Sequence, residues 1–409
     1  MSSFMYSMQN GTTNSTEYSI TIEELNRQQV LIRLPFTILI ALTMTIGFVG
    51  NILTIYVYGF RLKLSPTYLF VVMLACTDLI ICACVTPARI VQNIYPMMTT
   101  WDILCKFHLS LSVFTGLCNY GLLLAIATDR YRKVCQPLKS QITMTAAKII
   151  TACIFIFCAT QGSIALLYYG SIKKPTNYPG IYSYSCSAKN YKKPNYYQLG
   201  FFALYFLLAV FTFVILVVLY AIILRHMKVM NKKKIAISQQ NRNSIANVPC
   251  PDNIQQKWLD APEMIDPNRL SSSVSLDVVE LSVTEISSKV SSDEISTAYA
   301  KNIAPRMTKL READSERRAK EQAKRTKRTT ITMMMITVVF IVTYLPCTAT
   351  LIVNAIVKSL SSVPKAALFF YWFARHSFYI SSCSNPIIYS CRNKNFIDEI
   401  KKMFGVKQK

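Results

Sequence analysis

Seven apolar runs, each long enough to cross a bilayer, constrain this chain more than any other feature. Their approximate bounds are Leu34 to Phe60, Thr67 to Ile94, Ile103 to Val134, Ala146 to Tyr169, Leu199 to Arg225, Thr330 to Val357, and Ala366 to Tyr389. A helix needs roughly 20 apolar residues to traverse about 30 Å of hydrocarbon. With no water there to satisfy open backbone, such runs must become helices. The predicted fold class is therefore all-α, an integral membrane seven-transmembrane helix bundle. A content of 52% hydrophobic and only 16% charged residues fits a chain that folds in lipid.

Lys and Arg in the short loops orient the bundle, because positive residues are retained on the cytoplasmic face. Arg61 and Lys63 follow the first run, Arg132, Lys133 and Lys139 the third, and Arg225, Lys228 and Lys232 to Lys234 the fifth. Those ends are inside, and an odd number of crossings places the amino terminus outside. Two acceptor sequons, at Asn10 and Asn14, agree with glycosylation there. No charged segment with an apolar stretch and cleavage site precedes residue 30, so the first helix is expected to direct its own insertion. The expected location is the plasma membrane, multi-pass. The formal net charge of +24 sits largely at helix ends and in the long inner loop. Topology and anionic membrane lipid account for it better than nucleic acid does.

The organisation follows. Residues 1–33 form an extracellular tail, 34–225 carry helices one to five, 226–329 are a long cytoplasmic third loop, and 330–390 carry helices six and seven. Residues 391–409 hold a short amphipathic eighth helix and the tail, with Phe396, Ile397, Ile400, Met403 and Phe404 on one face and Lys394, Lys401 and Lys402 on the other. The middle of the third loop, from Ser271 to Ser296, alternates serine with acids and small apolar residues and reads as disordered. Glu312 to Arg328 lacks Gly and Pro and is expected to extend the sixth helix. Most of the 13 cysteines lie inside apolar runs, where a thiol packs as a small hydrophobe. Cys105 and Cys186 differ, since both face the oxidising side. A bond between them would tie the outer loop over the bundle; two free thiols are the alternative.

Charged and helix-breaking groups at membrane depth are costly and mark function. Asp129-Arg130-Tyr131 closes the third run, and Asn385-Pro386-Ile387-Ile388-Tyr389 closes the seventh. With Asn51, Asp78, Cys105, Tyr220, Phe340, Pro346 and Phe396, in shared order and spacing and each on the right helix, they resemble the rhodopsin-like family of G-protein-coupled receptors. The resemblance runs from Leu34 to Phe404 and suggests the neuropeptide-receptor type.

The resemblance implies a bundle that binds a ligand outside and opens an inner cleft for a heterotrimeric G protein when the sixth helix moves. Arg130 would be neutralised by Asp129 at rest and freed toward Tyr220 and Tyr389, with Pro346 as the lever. Asp78 would face Asn51, Asn119, Ser382 and Asn385, and hold either a sodium ion or a network of water. The serine-rich loop would offer phosphate acceptors to a receptor kinase, with arrestin as a further partner. The chain departs from the family's pattern at Phe157 and Tyr344, where tryptophans are usual, and at Thr212, where a proline is usual. Thr326 stands where some members carry an acid that pairs with Arg130, so higher basal activity is expected. Trp101 stands too near Cys105 to take the family's loop role.

Ser112 stands where amine receptors carry an aspartate, and Tyr379 where visual pigments carry a retinal-binding lysine. Arg375, about one turn above Tyr379 and beside His376, is either an anchor for a ligand carboxylate or a snorkelling cation. His108, Ser112, Tyr344, Arg375 and Tyr379 are the ligand-contact candidates. The outer loop around Cys186 is rich in tyrosine and lysine, and Ile181 to Cys186 alternates as one strand of a hairpin. A peptide ligand is the primary expectation, and a lipid or small anion the alternative. No enzymatic constellation appears, and the absence of matched halves argues against a transporter. Intact Arg130, Tyr220 and Tyr389 argue against a non-signalling scaffold.

Overall fold

The computed structural model describes residues 20–189, 196–246, 304–356, 365–403 and 405. Asn10, Asn14 and the serine-rich stretch Ser271 to Ser296 lie outside the described residues. Two units are distinguished, Met1–Ile223 with Thr329–Lys409, and Leu224–Arg328. Within the described residues of the second unit the backbone is helical, continuing the fifth helix, Tyr196–Ala246, and the sixth, Ala304–Ile356. Both run well beyond the apolar residues that fixed their predicted bounds at Arg225 and Thr330. Helix propensity does not end where hydrophobicity does, and the Lys-, Gln-, Arg- and Glu-rich flanks are good helix formers.

The first unit is a bundle of seven helices. Six are long and apolar enough to cross a membrane: Ile22–Arg61, Pro66–Ile94, Asp102–Cys135, Met144–Tyr168, Leu199–Lys233 and Glu321–Thr350. The seventh, Lys365–Arg392, spans 28 residues and is long enough, but its serines, tyrosines, Arg375 and His376 dilute its hydropathy. Such dilution marks a helix that turns polar side chains inward. The first helix begins at Ile22, twelve residues ahead of the apolar run. The Thr21 hydroxyl accepts from the Glu24 amide at 3.3 Å, and Glu23 and Glu24 occupy the first turn. Asn26 then bonds the Ile94 carbonyl at 3.0 Å and the Met97 amide at 3.1 Å, fastening this extension to the end of the second helix.

The second crossing is not one regular helix. Pro66–Ile80 is followed by a π-helical turn at Ile81–Val85 and then Thr86–Ile94. Pro87 has no N–H to continue the ladder, and the Thr86 hydroxyl bonds the Ile81 carbonyl at 2.9 Å. One extra residue in a turn rotates all that follows by about 100°. Beyond the turn, Arg89, Gln92 and Asn93 are all buried.

A hairpin covers the outer side, with β1 (Tyr169–Pro175) antiparallel to β2 (Tyr182–Ala188) as the alternation at Ile181 to Cys186 predicted. Its hold on the bundle is covalent at Cys105–Cys186, with Cα atoms 5.2 Å apart. Hydrogen bonds from the Tyr184 amide to the Met97 carbonyl, 2.7 Å, and from the Ser171 amide to Asp102, 2.9 Å, add to it.

At the other end, the eighth helix, Lys394–Met403, docks by Phe396, whose ring lies 5.6 Å from Tyr58 and 6.0 Å from Tyr389. Asn393 donates to the Tyr58 hydroxyl at 2.6 Å. A hydrogen bond from Lys402, together with Arg61, holds Glu399 below the usual carboxylate range. Phe396→Ala should remove this anchor at a cost of about 3 kcal/mol. A thermal midpoint of the purified variant equal to the parent's would refute that.

Candidate functional site

The third helix, Asp102–Cys135, carries one polar group to each of three levels, and the candidate site is built around it.

At the inner level Asp129 and Arg130 are 1% and 4% exposed, so each needs a partner. Arg130 Nη2 reaches Asp129 Oδ2 at 2.6 Å, and the Thr67 hydroxyl donates to the same oxygen at 2.6 Å. Lys133, one turn on, also donates to Oδ2 at 3.0 Å. Sequence reading used Lys133 only for topology, although Asp and Lys at i and i+4 on a helix are neighbours by geometry. Tyr131 accepts a 3.3 Å bond from Gln136 at the edge of this cluster. Tyr220 shares a 3.4 Å contact with Thr337, and the buried Tyr389 hydroxyl has no partner among the described residues. Asp129 and Arg130 are thus paired, with a second cation added to the pair.

At the middle level Asp78 is fully buried. Asn119 Nδ2 donates to its Oδ1 at 3.1 Å and Asn385 Nδ2 to its Oδ2 at 2.6 Å. Asn119 also donates to the Tyr344 hydroxyl at 3.1 Å, while the Thr77 hydroxyl lies 2.5 Å from its oxygen. Two expected members are placed differently. Asn51 turns its amide to the carbonyls of Gly47 and Ser382, both at 2.8 Å, and the Ser382 hydroxyl bonds the Tyr379 carbonyl. Neither bonds Asp78. Gly50 permits the close approach of the first and seventh helices, since a Cβ there would lie 2.6 Å from Pro386.

A sodium ion needs oxygen atoms turned toward it. Here the amides of Asn119 and Asn385 present hydrogens to the carboxylate and satisfy it without an ion. The purified protein's thermal midpoint is expected to be the same in sodium chloride and in choline chloride. A saturable rise specific to sodium would contradict this, because anything that binds the folded state stabilises it by mass action.

Tyr344 connects the middle level to the outer. Its ring lies 4.0 Å from Phe340 and 5.6 Å from Tyr120, within an aromatic stack that reaches Phe213. The hydroxyl, absent from a tryptophan, lets this position touch the Asp78 network. One helical turn before Pro346, the Ser377 hydroxyl bonds the Thr343 carbonyl at 2.5 Å.

At the outer level an open cavity brings together all five ligand-contact candidates, His108, Ser112, Tyr344, Arg375 and Tyr379. His108 and Tyr379 bond each other at 3.3 Å, and the Ser112 hydroxyl bonds the His108 carbonyl at 2.6 Å. Arg375 lines the cavity. The wall also holds Arg89, which sequence reading missed. Arg89 donates to His376 Nε2 at 3.3 Å and to Gln92 at 3.2 Å. His376 Nδ1 lies 2.7 Å from the Trp372 carbonyl and so carries the proton, leaving Nε2 to accept from Arg89 and Asn93. Arg33 stacks on Trp372 at 4.5 Å.

A model of the 7 transmembrane receptor (rhodopsin family) matches residues 50–389. Trace amine-associated receptor 3 of Rattus norvegicus is 30% identical over 154 residues, 37% of this chain and 44% of that receptor. Alpha-2A adrenergic receptor of Danio rerio is 24% identical over 404 residues, 96% of this chain and 95% of that receptor. Melanopsin of Podarcis siculus is 30% identical over 97 residues, 24% and 20% of the two chains. The chain matches less than half the length of the trace amine receptors.

Proposed function

The chain belongs to the rhodopsin family of seven-transmembrane, G-protein-coupled receptors, and on that footing we propose that an extracellular peptide activates it by inserting one end into the outer cavity. The signal passes to a heterotrimeric G protein through release of Arg130. The observation that carries this reading is the continuity of the outer and middle levels. Tyr344 lines the cavity and bonds Asn119, Asn119 bonds Asp78, and Asp78 bonds Asn385 of the helix that ends in Tyr389. A ligand that displaces Tyr344 therefore disturbs hydrogen bonds reaching toward the inner end. The basic residues flanking the inner helix ends support an amino terminus on the outside of the plasma membrane.

The trace amine and adrenergic relatives carry amines in their names. An ammonium in this cavity would meet Arg89 and Arg375 and no carboxylate among the lining residues, so an amine ligand is not carried over. No relative reported above is named for a peptide, and the neuropeptide type draws no support from them. The peptide reading stands on the tyrosine-rich hairpin above the cavity, which suits an extended ligand. The test is a screen of peptides on cells expressing the full chain with a promiscuous G protein, read as calcium release. Silence to peptides with a response to amines would defeat the reading.

A further inference from the structure

We propose that the group seated deepest in the outer cavity is a carboxylate, clamped between Arg89 of the second helix and Arg375 of the seventh, with an apolar or aromatic body attached. The inference rests on the reading of this cavity as the ligand site and specifies the chemistry that site selects.

Neither guanidinium has a counter-charge among the described residues. Arg89 is 7% exposed and its hydrogen bonds go to neutral acceptors, His376 Nε2 and the Gln92 oxygen. The proton on His376 Nδ1 makes that imidazole a neutral acceptor and not a third cation. Arg375 forms no ion pair or side-chain hydrogen bond among the described residues. Arg33, close by on the first helix, faces a tryptophan ring and has a buried Nε without a partner. Of the described acids in the first turns of the first and third helices, Glu23 is exposed and the other two are paired. Glu24 pairs with Arg27 at 3.1 Å, and Asp102 pairs with Lys106.

Two guanidinium groups on one cavity wall with no acid repel each other and are poorly solvated, which is costly unless an anion joins them. Carboxylate is the fitting partner. Its two oxygens offer about four lone-pair sites, enough for a fork of N–H donors from either side. The aromatic part of the remaining wall is Tyr169, Phe202, Tyr205, Tyr344, Phe378 and Tyr379, so the body behind the carboxylate is apolar or aromatic and hydroxyl-tolerant. The same chemistry has two sources, a free organic acid or the carboxyl terminus of a peptide.

The experiment uses the full chain at the cell surface with a promiscuous G protein. The library pairs arylalkyl and alkyl carboxylic acids with their primary amides, and aromatic-ended peptides with free and with amidated carboxyl termini. On the parent receptor the acid member of an active pair should exceed its amide by roughly 10- to 100-fold in potency. Arg375→Gln should erase that preference by weakening the acid alone. Arg375 is the variant of choice because it is half-buried and makes no side-chain bond the fold would lose; Arg89→Gln is the second. Activity among free acids assigns the first source, and activity confined to free-ended peptides the second. Equal potency of acid and amide, an equal loss of both in Arg375→Gln, activation by amines, or silence of every acid overturns the inference. The receptor reading is judged apart from it: Asp129→Asn should raise basal output in a manner that needs Arg130, and failure there strikes the receptor reading instead.

Discussion

Arg130→Ala is expected to abolish G-protein activation while leaving the receptor at the cell surface. Truncating one partner of a buried ion pair usually costs about 3 to 5 kcal/mol, because the other charge is left without compensation. Here it is not. Asp129 Oδ2 keeps the bond from the Thr67 hydroxyl at 2.6 Å and the ammonium of Lys133 at 3.0 Å, so the carboxylate remains neutralised. What is lost is the group that would leave Asp129 for the transducer, or for the unpartnered hydroxyl of Tyr389. The measurement is second-messenger output at surface levels matched by antibody staining of an extracellular tag. Normal output at matched level would refute the assignment. The explanation for survival has its own check, since Arg130→Ala combined with Lys133→Ala should lose surface expression where neither does alone.

The same cluster illustrates what the sequence could and could not reveal. Asp129-Arg130-Tyr131 is legible because adjacent charges at membrane depth have few possible uses. The pairing of Cys105 with Cys186 is legible because topology leaves these two thiols on the oxidising side. The seven crossings follow from hydropathy, apart from the seventh helix, whose inward polar face blurs it. Arg89 was hidden for a local reason. A regular helix gives no cue to the rotation introduced by the π-helical turn at Ile81–Val85, and an arginine near the outer end of an apolar run reads as a snorkelling cation. Its sequence cue was the break at Thr86-Pro87 followed by Arg89, Gln92 and Asn93 at helical spacing. The expected ring around Asp78 misplaced Asn51 and Ser382, because residue identity does not say which way an amide turns. Asn119 turns its hydrogens to the carboxylate, and that choice is fixed by Thr77 and Tyr344, two neighbours on other helices.

Loss of the Cys105–Cys186 bond is expected to be the largest structural effect of any single substitution on the outer side. The bond closes a span of 81 residues, and for a loop of that size chain entropy gives about 4 kcal/mol in a soluble protein. A membrane setting lowers the figure. The fourth helix, Met144–Tyr168, lies inside the closed span and stays inserted and helical when tertiary contacts are lost, so the opened chain gains less freedom. About 2 to 3 kcal/mol is the expected cost. The hairpin would not simply detach, because its hydrogen bonds to Met97, Thr99 and Asp102 remain. Its hold on the cavity mouth should loosen. Cys105→Ser and Cys186→Ser are each expected to lower surface level and to weaken agonist response at least tenfold, through a mouth that must be ordered on binding. Because one bond is being removed, the double variant should be no worse than either single one, a non-additivity that distinguishes loss of the bond from loss of two packing groups. Additive losses in the double variant would show that the two sulfurs act separately and that the hairpin is held by its hydrogen bonds alone.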